Sequence, residues 1–205
     1  MHETKPFSGS LLPAAPCVRS VSDSFHQPDS GYVMRKVPFI LFLILSGFPF
    51  LVSAGEPDIA LPRGTLADKI VVEKSKRKLT LFAGDKVLKE YRISLGKQPI
   101  GPKEREGDNK TPEGCYIIDF HKRDSNYHRA LHITYPDRND LERAGSLGVS
   151  PGKDIMIHGL RNGCGWLGEL HQYVDWTGGC IAVTNEEIEE LWRVVPDGTP
   201  IEIRP

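Results

Sequence analysis

From Lys69 onward the apolar residues come in short β-branched or alternating runs cut by turn residues, which constrains the fold more than any other feature of the chain. KIVVEKSKRKLTLFAGDKVLKEYRISLG reads as three strands around Val71, Leu79–Phe82 and Val87–Ser94, with Ala83-Gly84-Asp85-Lys86 as the hairpin turn between the last two. PEGCYIIDF (112–120), ALHITYP (130–136) and KDIMIHG (153–159) are further strands, and PDGTPIEIRP closes with a short one. Only TNEEIEELWRVV (184–195) predicts a helix. It opens with Thr184, carries Glu187 three residues on as a capping box, and sets Ile188, Leu191, Trp192 and Val195 on one face. The segments 96–112 and 136–153, rich in Gly, Pro and charge, are expected as long loops. A mainly β domain follows.

Upstream, MRKVPFILFLILSGFPFLVSAGEP begins at Met34 and joins two cations, an apolar run and a small-residue site at Val52-Ser53-Ala54. Those are the parts of a secretory signal peptide cut after Ala54. The run is short for a bilayer span and is broken by Pro38 and Pro49, so membrane contact is expected only through this segment if it stays uncleaved. Residues 1–33, rich in Ser and Pro and without a period, are expected to be a mis-assigned, disordered extension, with Met34 the true start. The expected organisation is extension 1–33, signal peptide 34–54, linker 55–67 and one exported domain at 68–205. A formal net charge of −1 over 205 residues gives no basic excess for nucleic-acid binding.

Export changes how the cysteines read. The mature part holds Cys115, Cys164 and Cys180, an odd number that flags a reactive thiol. Cys180 lies in WTGGCIAVT (176–184), behind two glycines. A thiol becomes a strong nucleophile when an imidazole takes its proton, and acyl transfer needs donors for the developing oxyanion. Glycines put no Cβ in the way of a carbonyl, so the amides of Gly179 and Cys180 could form that donor pair. His158, ending the apolar strand, and His171, nine residues before the cysteine, are the competing bases. Spacing alone leaves the two open. His158, Cys164, His171 and Cys180 include no close ligand pair of the Cys-x-x-Cys kind, so neither a metal nor another cofactor is expected. Cys115 and Cys164 are a candidate disulfide that would leave Cys180 free. Trp166, Tyr173 and Trp176 are a candidate substrate wall, and Asp175 a candidate partner for an ammonium group.

IMIHG followed by TGGCIAV resembles the paired motif of the L,D-transpeptidase (YkuD-type) catalytic domain, matching at His158, Gly159, Thr177, Gly179, Cys180 and Ile181. KIVVEKSKRKLTLF, GDNKTPEGCYII and DGTPIEI extend the likeness over roughly 68–204. The resemblance implies a β-sandwich or open barrel with one or two short helices. It implies Cys180 as the acylated nucleophile and His158 as its base, oriented by the Gly159 carbonyl. Gly179, Cys180 and Gly178 would form the oxyanion hole, and the matching Thr177 would border the substrate beside the candidate wall residues Trp176 and Tyr173. The implied reaction releases D-alanine from peptidoglycan tetrapeptide stems. The acyl group then passes to a second stem as a 3→3 cross-link or to a wall-attached lipoprotein, in the periplasm or cell envelope, in the service of wall biogenesis and cell shape. Two alternatives stand beside it: a thiol hydrolase, either an L,D-carboxypeptidase or an amidase releasing wall-linked protein, and an inactive wall-binding module. Two positions depart from the pattern. Gly178 stands where many members have His, and Ala182 where many have Arg, with Arg161 the nearest cation to compensate.

Overall fold

The computed structural model describes residues 60–205. The expected extension 1–33, the signal peptide 34–54 and the start of the linker lie outside the described residues. Eight strands follow: β1 (Lys69–Glu73), β2 (Lys78–Ala83), β3 (Lys86–Arg92), β4 (Gly114–Ser125), β5 (His128–Ile133), β6 (Met156–His158), β7 (Ile181–Ala182) and β8 (Pro200–Arg204). They form one mixed sheet in the order β3-β2-β1-β8-β4-β5-β6-β7. The β1–β8 and β6–β7 pairs are parallel and the rest antiparallel. The sheet is not closed. An isolated bridge, Ser94↔Ala182, ties the chain leaving β3 to β7, with Ser94 N donating to Ala182 O at 2.9 Å and Ala182 N to Ser94 O at 2.8 Å.

The β2–β3 hairpin turns at Gly84, whose φ of +57° is left-handed, as the turn residues predict. On β4 the two-residue period is visible directly: Tyr116 and Ile118 are buried while Cys115 and Ile117 face outward. Ile70, Leu79, Leu81, Leu131, Ile133, Ile157 and Ile181 complete a continuous core. Each such aliphatic side chain contributes about 1.5–3 kcal/mol by leaving water. Helix α2 (Asn185–Val194) covers this core near β5 with Ile188, Leu191 and Val194, and Val195 follows just beyond its end. Thr184 and Glu187 close the expected capping box.

The segment 136–153 is not the long loop its composition suggests. It holds a second helix, α1 (Arg138–Ser146), capped by Asp137 and Asp140. Ala144 is its only buried apolar side chain, so it lacks the stripe that reveals α2. Tertiary contact compensates: buried Asp140 accepts a hydrogen bond from the Tyr116 hydroxyl at 2.9 Å. Short 3-10 turns lie at Lys74–Lys76 and Gly165–Tyr173. The long loop 96–112 is held by the buried Lys74 ammonium, which donates to Gly101 O (2.7 Å), Thr111 O (3.0 Å) and Glu113 Oε1 (2.7 Å). The candidate disulfide is not formed. Cys115 is an exposed free thiol, because the register of β4 against β8 turns it away from the core.

Candidate active site

Strands β6 and β7 run parallel with Ile157 opposite Ile181 and His158 opposite Ala182. The two isoleucines fill the core at 0% exposure, so alternation turns His158 and Cys180 to the other face. Both line one cavity of about 380 Å³, together with Trp176, Thr177 and Gly178. His171 is not among its lining residues, and that separates the two candidate bases.

His158 is buried, and its Nδ1 lies 2.7 Å from the Gly159 carbonyl. A carbonyl only accepts, so Nδ1 carries the proton and Nε2 keeps its lone pair. Burial pushes the imidazole pKa down to about 4, against the pull of that carbonyl, so the ring is neutral at physiological pH. The ring is framed by Tyr127, at a centroid distance of 4.5 Å, and by Trp176 at 5.7 Å. Gly159 has its own reason: a Cβ there would meet Asn185 Oδ1 at 2.8 Å and Ile188 Cγ2 at 3.0 Å.

The Cys180 thiol donates a weak hydrogen bond to the Asp154 carbonyl at 3.7 Å, and Asp154 holds a left-handed φ of +60°. Burial raises the thiol pKa, and the Asp154 carboxylate adds to this. The Met156 amide and the Lys103 ammonium pull the other way. The resting pair is thus a neutral thiol and a neutral imidazole. Such a pair acts by proton transfer to a base rather than as a standing ion pair.

The two glycines differ. Gly179 has φ +133°, and a Cβ there would lie 2.6 Å from Lys110 O, so the loop 96–112 demands a glycine. Its amide donates to Thr177 Oγ1 at 3.0 Å and is therefore not a free donor, contrary to its expected place in the oxyanion hole. The Thr177 hydroxyl in turn donates to Cys180 O at 2.7 Å, so this buried side chain pins the turn. Gly178 has open space where a Cβ would stand. Among the described residues, the amides of Gly178 and Cys180 have no hydrogen-bond partner.

Other expected residues lie elsewhere. Arg161 does not line the cavity. Tyr173 and Asp175 line a neighbouring cleft of about 560 Å³, where Tyr173 stacks under Arg92 at 4.8 Å. Asp175 is bound to Arg77 at 2.8 Å and accepts from the Leu95 amide at 3.0 Å, so it is no solvated carboxylate waiting for an ammonium. His171 is buried, and its Nδ1 accepts from Trp176 Nε1 at 3.3 Å, so it braces a cavity wall from behind. Lys97, Lys122, Tyr127 and Asp154 also line the cavity. They come from turns and strands far apart in the chain, and no motif marks them.

A mostly-sheet domain with few helices, carrying a cysteine and a Gly-oriented histidine in one cleft, defines an L,D-transpeptidase-type catalytic domain. The chain belongs to that family: the L,D-transpeptidase catalytic domain (YkuD) model matches residues 67–203. The putative L,D-transpeptidase YafK of Escherichia coli K12 is 34% identical over 132 residues, covering 62% of this chain and 46% of the relative. The chain thus spans about half the length of the curated relatives it matches. The crystal structure of the helical cell shape determining protein Pgp2 from Campylobacter jejuni is similar at 27% identity and a TM-score of 0.52, covering 73% of this chain and 51% of that one.

Proposed function

We propose that this chain is an exported cysteine L,D-transpeptidase acting on peptidoglycan tetrapeptide stems. The observation that carries the reading is the His158 imidazole, fixed through Nδ1 by Gly159, in the cavity that holds the Cys180 thiol. His158 Nε2 takes the thiol proton as Sγ attacks the carbonyl carbon of the L,D peptide bond. The oxyanion is held by the amides of Cys180 and Gly178. His158 returns the proton to the departing D-alanine amine, leaving a tripeptide thioester on Cys180. An amine of a second stem then attacks the thioester, forming a 3→3 amide and freeing the thiol. Likeness to a cell shape determining protein supports a part in wall remodelling.

Water in place of the amine would make the same residues a hydrolase. Incubation with purified tetrapeptide muropeptides separates the two: cross-linked dimers are expected from the transferase, and monomeric tripeptides alone would make it a hydrolase. No turnover at all would leave only a wall-binding module.

A further inference from the structure

The cavity around Cys180 is ringed by three charged side chains from three segments: Lys97 beyond the Gly96 bridge, Lys122 on β4 and Asp154 ahead of β6. Most lysines near the sheet are neutralised, among them Lys69 by Glu202, Lys74 by Glu113, Lys78 by Glu90 and Lys103 by Asp108. Lys97 and Lys122 are exposed, and among the described residues neither has a carboxylate within ion-pair reach. Two lysines without a carboxylate partner therefore line one cleft that also holds the nucleophile.

The sheet explains why cations come from these places. Ala182 occupies the position where the resemblance implies an arginine. It has no exposed surface, stands opposite His158, and is bonded through both its N–H and its carbonyl to Ser94. With no exposed surface at Ala182, a long side chain there would have to push aside the side chains packed around it. Arg161 does not line the cavity either. A stem peptide bears free carboxylates on its acidic residues, and a site that takes it needs positive charge at the rim.

We infer that Lys97 and Lys122 hold carboxylates of the acyl-donor stem, so that the cavity selects stems with free acids over amidated ones. This rests on the proposed transpeptidase reading for its substrate class. Both lysines are specificity residues: they contact the donor without taking part in proton transfer.

The test is a binding titration of the full chain carrying Cys180→Ala, with a soluble tetrapeptide stem and its analogue in which the side-chain acids are carboxamides. The free acid is expected to bind about tenfold more tightly, a difference of the size a pair of charge contacts supplies. Lys97→Ala and Lys122→Ala should each cut that preference several-fold, and the double variant should bind both stems within about twofold. Lys97→Arg and Lys122→Arg should keep it. A preference unchanged in the double variant, no preference in the parent, or a parent that binds neither stem overturns the assignment. Because the thiol is absent, the result does not depend on turnover. Lysine-dependent preference together with no acyl adduct on the unaltered chain would sink the transpeptidase proposal and leave the two lysines as carboxylate-binding residues of a stem-binding cleft.

Discussion

His158 stands opposite Ala182 in the parallel pairing of β6 with β7, and the two-residue period puts Cys180 on the same side of that pair as the imidazole. A thiol and a base far apart in sequence thereby share one cavity without any loop having to bring them together. Both sit against a fully buried Ile157–Ile181 pair, so their relative position is fixed by core packing.

The two glycines before the cysteine should respond differently to alanine. Gly179→Ala places a Cβ against the Lys110 carbonyl and forces an L residue into φ +133°. It should lower stability by about 1–3 kcal/mol, seen as an earlier denaturant midpoint. Gly178→Ala meets nothing within 4 Å and should leave the midpoint unchanged. Equal midpoints for the two variants would contradict this geometry.

Thr177→Val removes a buried hydroxyl that bonds both Gly179 N and Cys180 O. Two groups lose their partner, so a stability loss of about 1–3 kcal/mol is expected, with reduced kcat because the turn carrying the nucleophile loosens. Thr177→Ser should restore most of both. If the valine variant unfolds at the parental midpoint, the hydroxyl does not hold this turn.

Stability should fall on acidification through the histidine range. Burial sets the His158 pKa at about 4, and burial with the nearby His158 sets His171 at about 4, against 6.5 in the unfolded chain. Each lowered imidazole contributes its full stability above pH 6.5 and loses it as pH falls toward 4, because the unfolded chain takes up protons first. Urea unfolding should show a slope of about 1.4 kcal/mol per pH unit for each histidine in that window. A flat profile there, or one rising with acid, contradicts the burial of these rings.

The same ring sets the acid side of catalysis. A base that stays neutral down to about pH 4 predicts that kcat/KM holds below pH 6 and declines only near 4. An acid limb at the ordinary histidine value of about 6.5 would show that the imidazole in the free enzyme is solvated.

The strands and α2 were legible because short alternating runs and a Thr184–Glu187 box leave a local signature. Helix α1 was not, since a single buried alanine makes no stripe and its support comes from Tyr116 on β4. The Cys180–His158 pair was legible from its motif, whereas Tyr127, Lys97 and Lys122 reach the cavity only through the sheet order. Asp175 and Tyr173 show the converse. They lie next to the motif in sequence, yet the ion pair with Arg77 and the stacking under Arg92 turn them into another cleft.

Intact-mass measurement of the full chain mixed with a tetrapeptide stem addresses the nucleophile itself. One tripeptide acyl group should appear, mapped to Cys180, and it should be lost in Cys180→Ser and greatly slowed in His158→Ala. An adduct on another residue, or D-alanine release that persists at half the parental rate in Cys180→Ser, would contradict a thioester route through this thiol.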